Sequence, residues 1–482
     1  MQVTTEGTMQ TTIPGVIACG MDVHRDKIDV CVRKGDGGPE GDVITKTFST
    51  MRQALFDLRD WLISLSCFKV LMESTGVYWM PVYSILEEVG GMNVGVGNSR
   101  DLKNSPGRPK TDKEDAKWLS RLCMFGLVLK SFVVGRHFRA LREYTRYHKK
   151  LVQERARQIN RINKLLQMNG FKLSSVLSDI TGTSGLRLLH KLADKGELSV
   201  SDIRGELDRR CKSTPEEIGL AINGAMKQTS RTLLKFQLKK LERCGSEIDE
   251  VYGLMLRMSQ EHDRAIRIIE SIPGMSTLSA IYIIAEIGTD LSSFKTANHL
   301  AAWAGLAPKE NESAGKVRPS KTKKGSQYVK SLLIQCAWAA TKTRGARLSI
   351  WYWRNEKRLG NKKAITAVAR KLLCYIYAML ESGTLYDKSL DVAYADNIGA
   401  IKLEAAQKIV GSRKSVAQPF NKCADNLGVQ IATGLDGIHG EALGLANKEA
   451  KSGEHNKSGI ESPNETAVPK KRGRSKKAAT PG

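Results

Sequence analysis

The sequence lacks the usual marks of a secreted or membrane-bound protein. Its nine cysteines are odd in number, scattered from Cys19 to Cys423, and include no C-x-x-C pair, so neither a disulfide framework nor a zinc ribbon is expected. No apolar run approaches the ~18 residues of a membrane span, and residues 1–13 are polar, unlike a signal peptide. These absences predict a protein of a reducing cytoplasm that does not act in a membrane.

Acidic residues are too few to balance the basic ones. The 482 residues include 76 Lys and Arg against 50 Asp and Glu, a formal net charge of +26, so a polyanion is the expected partner. Residues 100–164 contain 18 basic and 6 acidic side chains, residues 309–330 contain 7 and 2, and residues 342–371 contain 10 and 1. Such one-signed blocks favour contacts with a phosphate backbone, which position a protein without reading bases.

The first part of the chain, residues 14–135, alternates strand and helix signals. The patterns predict strands over 15–23, 27–33, 42–48, 68–73 and 92–96, and helices over 51–64 and 81–89. Three strands, a helix, a strand, a helix and a strand is the order of a ribonuclease-H-like α/β domain. The fold class is therefore α/β in this part and all-α in most of the remainder.

The remainder divides into two helical parts and a tail. Residues 136–262 contain two near-heptad series, which predict an antiparallel coiled coil or a dimerising arm; the first series is Leu141, Thr145, His148, Val152, Ala156, Ile159, Asn163 and Leu166. Residues 263–390 are predicted to form a second compact helical domain. The basic tail, 391–482, is predicted to be largely disordered, and its PKKRGRSKK segment either enters a minor groove or only solubilises the chain.

Four acidic residues carry the candidate chemistry. Asp22 ends the first strand, Glu73 ends the buried strand FKVLME, and Asp112 and Asp115 lie three residues apart on a predicted helix. Converging carboxylates require a cation, and Mg²⁺ or Mn²⁺ fits such oxygen ligands; two ions can clamp the reacting oxygens of a phosphodiester. The alternative is structural, because TDKE at 111–114 is also a capping box whose first turn favours acids.

The acidic blocks resemble those of a known family. GMDVHRDKIDV, MESTGVYWMPVYSILEEVG and KTDKEDAKWLSRL are similar to the three acidic blocks of the insertion-sequence 110 (DEDD-type) transposases. The resemblance continues through IESIPGMSTLSAIYIIAEIG, FKTANHLAAWAGLAPKENESAGK and TKKGSQYVKSLLIQCAWAATKTRG, and spans about residues 16–391. It implies a RuvC-like domain over 14–135, a helical coiled-coil insertion over 136–262 and a serine-bearing helical transposase domain over 263–390.

The resemblance also assigns roles to residues. It implies that Asp22, Glu73, Asp112 and Asp115 bind Mg²⁺ and that Ser313, in ESAGK, is the nucleophile that joins covalently to DNA. From the residues alone, a loop serine such as Ser313 is far more often an N-cap or turn residue than a nucleophile, and Ser320 and Ser326 are competing candidates. Basic side chains of the charged blocks are expected to contact nucleic acid, namely Arg108, Lys110, Arg139, Arg142, Arg146, Lys316, Arg318, Lys321, Lys323 and Lys324.

The function implied by the resemblance is that of a DNA transposase or recombinase of an insertion sequence, associated with the nucleoid in a prokaryotic cytoplasm. Its implied partners are donor and target DNA, a structured guide RNA encoded by the element, and further copies of the chain in a dimer or tetramer. In such an assembly Ser313 of one subunit completes the acid site of another. The residues leave two alternatives: a metal-dependent RuvC-like junction nuclease with no covalent intermediate, and a non-enzymatic architectural protein that binds nucleic acid.

Overall fold

The computed structural model describes residues 15–35, 42–73, 76–98, 111–128, 130–308 and 322–397, and the backbone of two short strands at 312–313 and 316–317. The chain divides into two units, Met1–Asp396 and Asn397–Gly482. The second unit, apart from Asn397, lies outside the described residues. The predicted disorder of the tail therefore falls almost wholly outside them.

A five-stranded sheet forms the first part of the fold. Its first three strands make an antiparallel meander, and the last two extend the sheet parallel to β1, in the spatial order β3-β2-β1-β4-β5. All five predicted strands and both predicted helices are confirmed, with ends shifted by a few residues. The elements are β1 (Ile17–Val23), β2 (Lys27–Lys34), β3 (Asp42–Ser49), α1 (Arg52–Ser64), β4 (Lys69–Glu73), α2 (Trp79–Leu86), β5 (Asn93–Gly97) and α3 (Asp112–Phe125).

The sheet is covered by helices on both faces. Strands β1 and β2 are buried along nearly their whole length, as expected of central strands. Met21 and Met72 pack in the core that includes α1 and α2, whereas Ala18 and Leu71 pack against α3. Because strand side chains alternate between faces, Asp22 and Glu73 lie on the α3 face.

Helices make up most of the rest of the described chain. The first group is α4 (Arg136–Met168), α5 (Leu173–Val176), α6 (Thr183–Lys195), α7 (Val200–Glu206), α8 (Pro215–Ala221) and α9 (Gln228–Ser259), followed by a 3₁₀ turn (Gln260–His262). The second group is α10 (Asp263–Glu270), α11 (Thr277–Ile287), α12 (Ala297–Trp303), α13 (Gln327–Lys342), α14 (Arg347–Leu359) and α15 (Asn361–Ser382), with a hairpin of β6 (Glu312–Ser313) and β7 (Lys316–Val317) between α12 and α13. None of the described helices is long and apolar enough to cross a bilayer.

Helices α4 and α9 pair in antiparallel fashion, which confirms that prediction. The ring of His137 donates to the carbonyl of Met258 at 3.0 Å, and further along Glu154 pairs with Lys240 at 3.0 Å. Partner numbers thus fall on α9 as they rise on α4. The helices α5 to α8 pack around the end of the pair that lies away from His137, in a core shared with Ile162 and Leu238. The limits of the helical domains remain predictions.

The predicted seam of α4 is wrong at Val152 and Ala156, whereas Leu166 at its end is buried as predicted. Leu151, Gln158 and Ile162 are buried, whereas Val152 and Ala156 of the predicted series are exposed. The predicted series took two four-residue steps in succession at this point and moved off the stripe that faces α9. An α-helix of 3.6 residues per turn drifts against such a series, so the side chain of Val152 lies instead in the lining of a cavity of about 400 Å³ beside α11 and α13.

Candidate active site

Asp22 and Glu73 lie side by side at the ends of parallel strands. Met21 pairs with Met72 in the ladder, so the residues that follow them stand level on neighbouring strands. Both are almost fully buried, at 5% and 4% exposure. Burial raises the pKa of Asp22; His24 opposes this shift, and the nearby carboxylates of Glu73 and Asp115 add to it. Three of the four predicted acids therefore interact electrostatically.

Helix α3 carries the other two acids to this edge. The Thr111 side chain caps the helix by accepting from the backbone amide of Glu114 at 3.4 Å, so the predicted N-cap is confirmed. The helix lies so close to β1 that a Cβ on Gly20 would stand 2.2 Å from the backbone nitrogen of Ser120. This contact sets Asp112 and Asp115, in the first turn of α3, over the end of β1, where Asp22 lies.

His24 and Lys27 are members of the site that the sequence analysis missed. Nε2 of His24 lies 3.0 Å from Asp22 Oδ2 and 3.4 Å from Asp112 Oδ1. Nζ of Lys27 lies 2.7 Å from Asp112 Oδ2 and 3.0 Å from Asp29 Oδ2. The hydrogen bond from Lys27, more than any other interaction, lowers the pKa of Asp112. The signal was present in DVHRDK, because a tight β1–β2 turn returns these side chains to the end of β1.

The donor set fits a hard divalent cation. The ligand atoms of Asp22, His24 and Asp112 lie within 4.8 Å of one another. The Lys27 ammonium supplies at Asp112 the positive charge that a metal ion would otherwise bring, and burial raises the pKa of the Asp22 carboxyl. Mostly carboxylate oxygens with one imidazole suit Mg²⁺ or Mn²⁺.

Ser313 lies in a strand rather than in a loop. It ends β6 and pairs with Lys316 of β7, while its side chain lies outside the described residues. Of the competing serines, Ser326 caps α13 by accepting from the amide of Val329 at 3.4 Å, and Ser320 is not described. The structure thus gives Ser326 a helix-capping role and leaves the nucleophile a prediction.

The predicted nucleic-acid contacts fall into three groups. Arg108, Lys110, Arg318 and Lys321 lie outside the described residues, as does the side chain of Lys316. Lys323 and Lys324 are exposed just before α13 and are available to a phosphate backbone. The third group consists of Arg139, Arg142 and Arg146 on α4.

The three arginines of α4 are engaged within the protein. Arg139 pairs with Glu87. Arg142 donates to the carbonyls of Ala285 and Glu286 at 3.1 and 2.7 Å. Arg146 donates to both carboxylate oxygens of Glu286 at 2.9 and 3.1 Å. These contacts attach α4 to α2 and α11, so a nucleic acid would have to compete with them, and the predicted role stays a prediction.

Two family profiles match the chain. One, described as "Transposase IS116/IS110/IS902 family", matches residues 266–352, and the other, a DEDD profile of the IS110 type described as "Transposase", matches residues 19–169. The second range contains all four acids of the site, and the first contains Ser313.

Several known sequences are similar to this chain over part of their length. The chain is 26% identical over 219 residues to the transposase for insertion sequence element IS1111A of Coxiella burnetii, covering 42% of this chain and 58% of that protein. It is 27% identical over 148 residues to the pilin gene-inverting protein of Moraxella bovis, covering 30% and 46%. An uncharacterized 44.8 kDa protein of insertion element IS116 from Streptomyces clavuligerus is 24% identical over 266 residues, covering 51% and 64%. The chain spans about half the length of these relatives, and the two transposase profiles match separate segments of it, 19–169 and 266–352.

Proposed function

We propose that the protein cuts and rejoins DNA strands as the transposase of an insertion sequence. The observation that carries the proposal is the meeting of Asp22, Glu73, Asp112 and Asp115 at one edge of the sheet, in a strongly basic chain with both family domains. The strand order β3-β2-β1-β4-β5 with helices on both faces supports a RuvC-like fold for this part. The pilin gene-inverting relative supports recombination of DNA as the class of reaction.

The acids would hold one or two Mg²⁺ or Mn²⁺ ions. Asp22 and Glu73 are buried, Asp115 is half-buried, and the side chain of Asp112 is 44% exposed at the mouth of the site. When bound, such ions offset the negative charge that develops on a reacting phosphodiester. Lys27 and His24 contact Asp112 and so hold the start of α3 close to the β1–β2 turn.

Ser313 is the proposed nucleophile. Its Oγ attacks phosphorus, so that a P–Oγ bond forms and the bond from phosphorus to the 3′-oxygen breaks. The serine gives up its hydroxyl proton, and the leaving oxygen takes up a proton as a 3′-hydroxyl. Attack by the 3′-hydroxyl of another strand reverses these steps and restores the serine. Lys323 and Lys324 are exposed, and such cations can balance the charge of a phosphate.

A covalent adduct assay tests this mechanism. The full-length protein is incubated with Mg²⁺, the element's flanking RNA and supercoiled DNA that carries its joined ends, and protein-linked DNA is detected after denaturation. The adduct is expected with the wild type and lost with Ser313→Ala and with Asp112→Ala. Ser326→Asn is the matched control, because asparagine also caps helices but has no hydroxyl, and it should keep the adduct.

The other outcomes identify the alternatives. Cleavage without an adduct, unchanged by Ser313→Ala, would show a junction nuclease. Metal-independent binding with no cleavage, unaffected by Asp22→Ala, would show an architectural protein.

We further propose that the active unit is a dimer or tetramer in which Ser313 of one subunit serves the acids of another. Inactive Ser313→Ala and Asp112→Ala proteins should then recover adduct formation when they are mixed before DNA is added. If the mixture stays inactive while each variant still co-assembles with the wild type, the serine and the acids belong to one subunit.

The choice of DNA sequence is proposed to come from a structured RNA, which the basic surfaces would hold through its phosphates. Recombination at the specific site should stop after RNase treatment and return when the RNA is added back. Site-specific recombination that survives RNase would remove this part of the proposal and leave the strand chemistry intact.

A further inference from the structure

Two histidines and a glutamate meet at one end of the long helix pair. His137 lies in the first turn of α4, and Glu261 and His262 lie in the 3₁₀ turn that follows α9. One ligand atom from each side chain lies within 4.8 Å of the other two. The two imidazole rings stand edge to face with centroids 5.2 Å apart. This 137/261/262 cluster shares no residue with the acid site.

One ring nitrogen of His137 is held by a backbone carbonyl. Its Nε2 lies 3.0 Å from the carbonyl oxygen of Met258. A carbonyl only accepts hydrogen bonds, so Nε2 carries the proton and Nδ1 of the neutral ring carries the lone pair. Metal-binding histidines commonly donate their other ring N–H to a backbone carbonyl in this way.

The ring of His262 has an unused nitrogen. It stacks on Phe138 with centroids 4.5 Å apart. Its Nε2 is shielded from solvent and has no hydrogen-bond partner in the part of the chain that the structure describes, which is a costly state for a buried polar atom. An imidazole nitrogen without a hydrogen-bond partner is the kind of atom that can bind a metal ion.

We propose that the 137/261/262 cluster binds a divalent transition-metal ion of the Zn²⁺ class. Two imidazoles and one carboxylate suit Zn²⁺ or Co²⁺, whereas Mg²⁺ prefers oxygen ligands and water. Three protein ligands leave a position for water. Because the ligands come from the start of α4 and the turn after α9, the ion joins the two helices at the end that packs into the second group of helices.

Cobalt absorption tests the site directly. Tag-free, full-length protein with Asp22→Asn and Asp112→Asn, which disable the acid site, is stripped with a chelator and titrated with Co²⁺. Visible absorption bands should saturate at about one ion per chain, and Zn²⁺ should abolish them. His137→Gln and His262→Gln should each weaken binding at least tenfold. His190→Gln is the matched control, because His190 meets a single carboxylate, that of Glu242 at 2.8 Å, and it should bind Co²⁺ like the parent.

The Glu261→Gln variant serves as the control for folding. Glu261 is exposed, so Glu261→Gln should keep the parent's circular dichroism while losing part of the Co²⁺ absorption. Zn²⁺ should also raise the melting temperature of the parent by about 2–4 °C and leave that of His262→Gln unchanged. Identical titrations of the parent, His137→Gln and His262→Gln would overturn the proposal, as would an equal loss of binding in His190→Gln.

Discussion

The buried carboxylate of Glu286 is expected to be a main support of helix α4. It is 4% exposed and accepts hydrogen bonds from Arg146 through both of its oxygens. Nε of Arg142 lies 3.4 Å from its Oε2. Glu286→Gln keeps the shape of the side chain but removes its charge. The two guanidinium groups then face a neutral amide between α4 and α11.

The size of the effect follows from burial. Removing one partner of a fully buried ion pair costs about 3–5 kcal/mol. The side chains of Arg142 and Arg146 are 18% and 34% exposed, so water relieves part of the loss, and Arg142 keeps its bonds to the backbone carbonyls. We therefore expect Glu286→Gln to lower the free energy of unfolding by about 2–3 kcal/mol.

A double-mutant cycle, measured by urea unfolding, separates the energy of the Glu286–Arg146 pair from the other effects of each substitution. Arg146→Met keeps most of the apolar stem but loses the ion pair and the contact of the guanidinium with the Tyr328 ring at 4.2 Å. With Glu286→Gln it should show a coupling energy of about 1–2 kcal/mol. Asp194→Asn, which breaks an exposed pair with Lys235, is the control and should change nothing measurable.

Strictly additive single effects, or a Glu286→Gln protein as stable as the wild type, would refute the assigned role.

The same Arg146→Met protein tests the predicted nucleic-acid contact. A lost phosphate contact would lower the slope of log affinity for DNA against log salt by about one, whereas a purely structural role would leave the slope unchanged.

Three further outcomes follow from the packing. Leu151→Ala should lower the free energy of unfolding in urea by about 2–4 kcal/mol, and Val152→Ala should lower it by less than about 0.5 kcal/mol. Equal losses in the two variants would contradict the observed seam. Gly20→Ala should cost about 3 kcal/mol or more and abolish metal-dependent cleavage, because its Cβ would push α3 off β1; a stable, active variant would contradict that contact. In chelator, Asp22→Asn should be more stable than the wild type near pH 8, and this gain should shrink as the pH falls. Burial raises the pKa of Asp22 in the native state. Between the pKa of the unfolded chain and this raised pKa, the native state keeps a proton that the unfolded chain has lost, so wild-type stability falls as the pH rises through that interval. A gain in stability that does not change with pH would contradict the raised pKa of Asp22.

The sequence by itself determined the elements and the order in which they occur. Alternation and apolar runs predicted all five strands of the sheet, and near-heptad spacing predicted the antiparallel pair of α4 and α9. The positions of Asp22 and Glu73 at strand ends predicted their convergence. These features are readable because periodicity within one segment reports which of its faces is buried.

Only the tertiary structure decided which side chains meet across segments. It brought His24 and Lys27 to Asp112, it joined Glu286 to arginines about 140 positions earlier in the chain, and it placed His137 beside His262. It also shifted the seam of α4 by one residue, so that Leu151 rather than Val152 is buried. The period of a helix tells which residues share a face, but the neighbour against which that face packs is set by the docking of distant elements, and no local pattern records it.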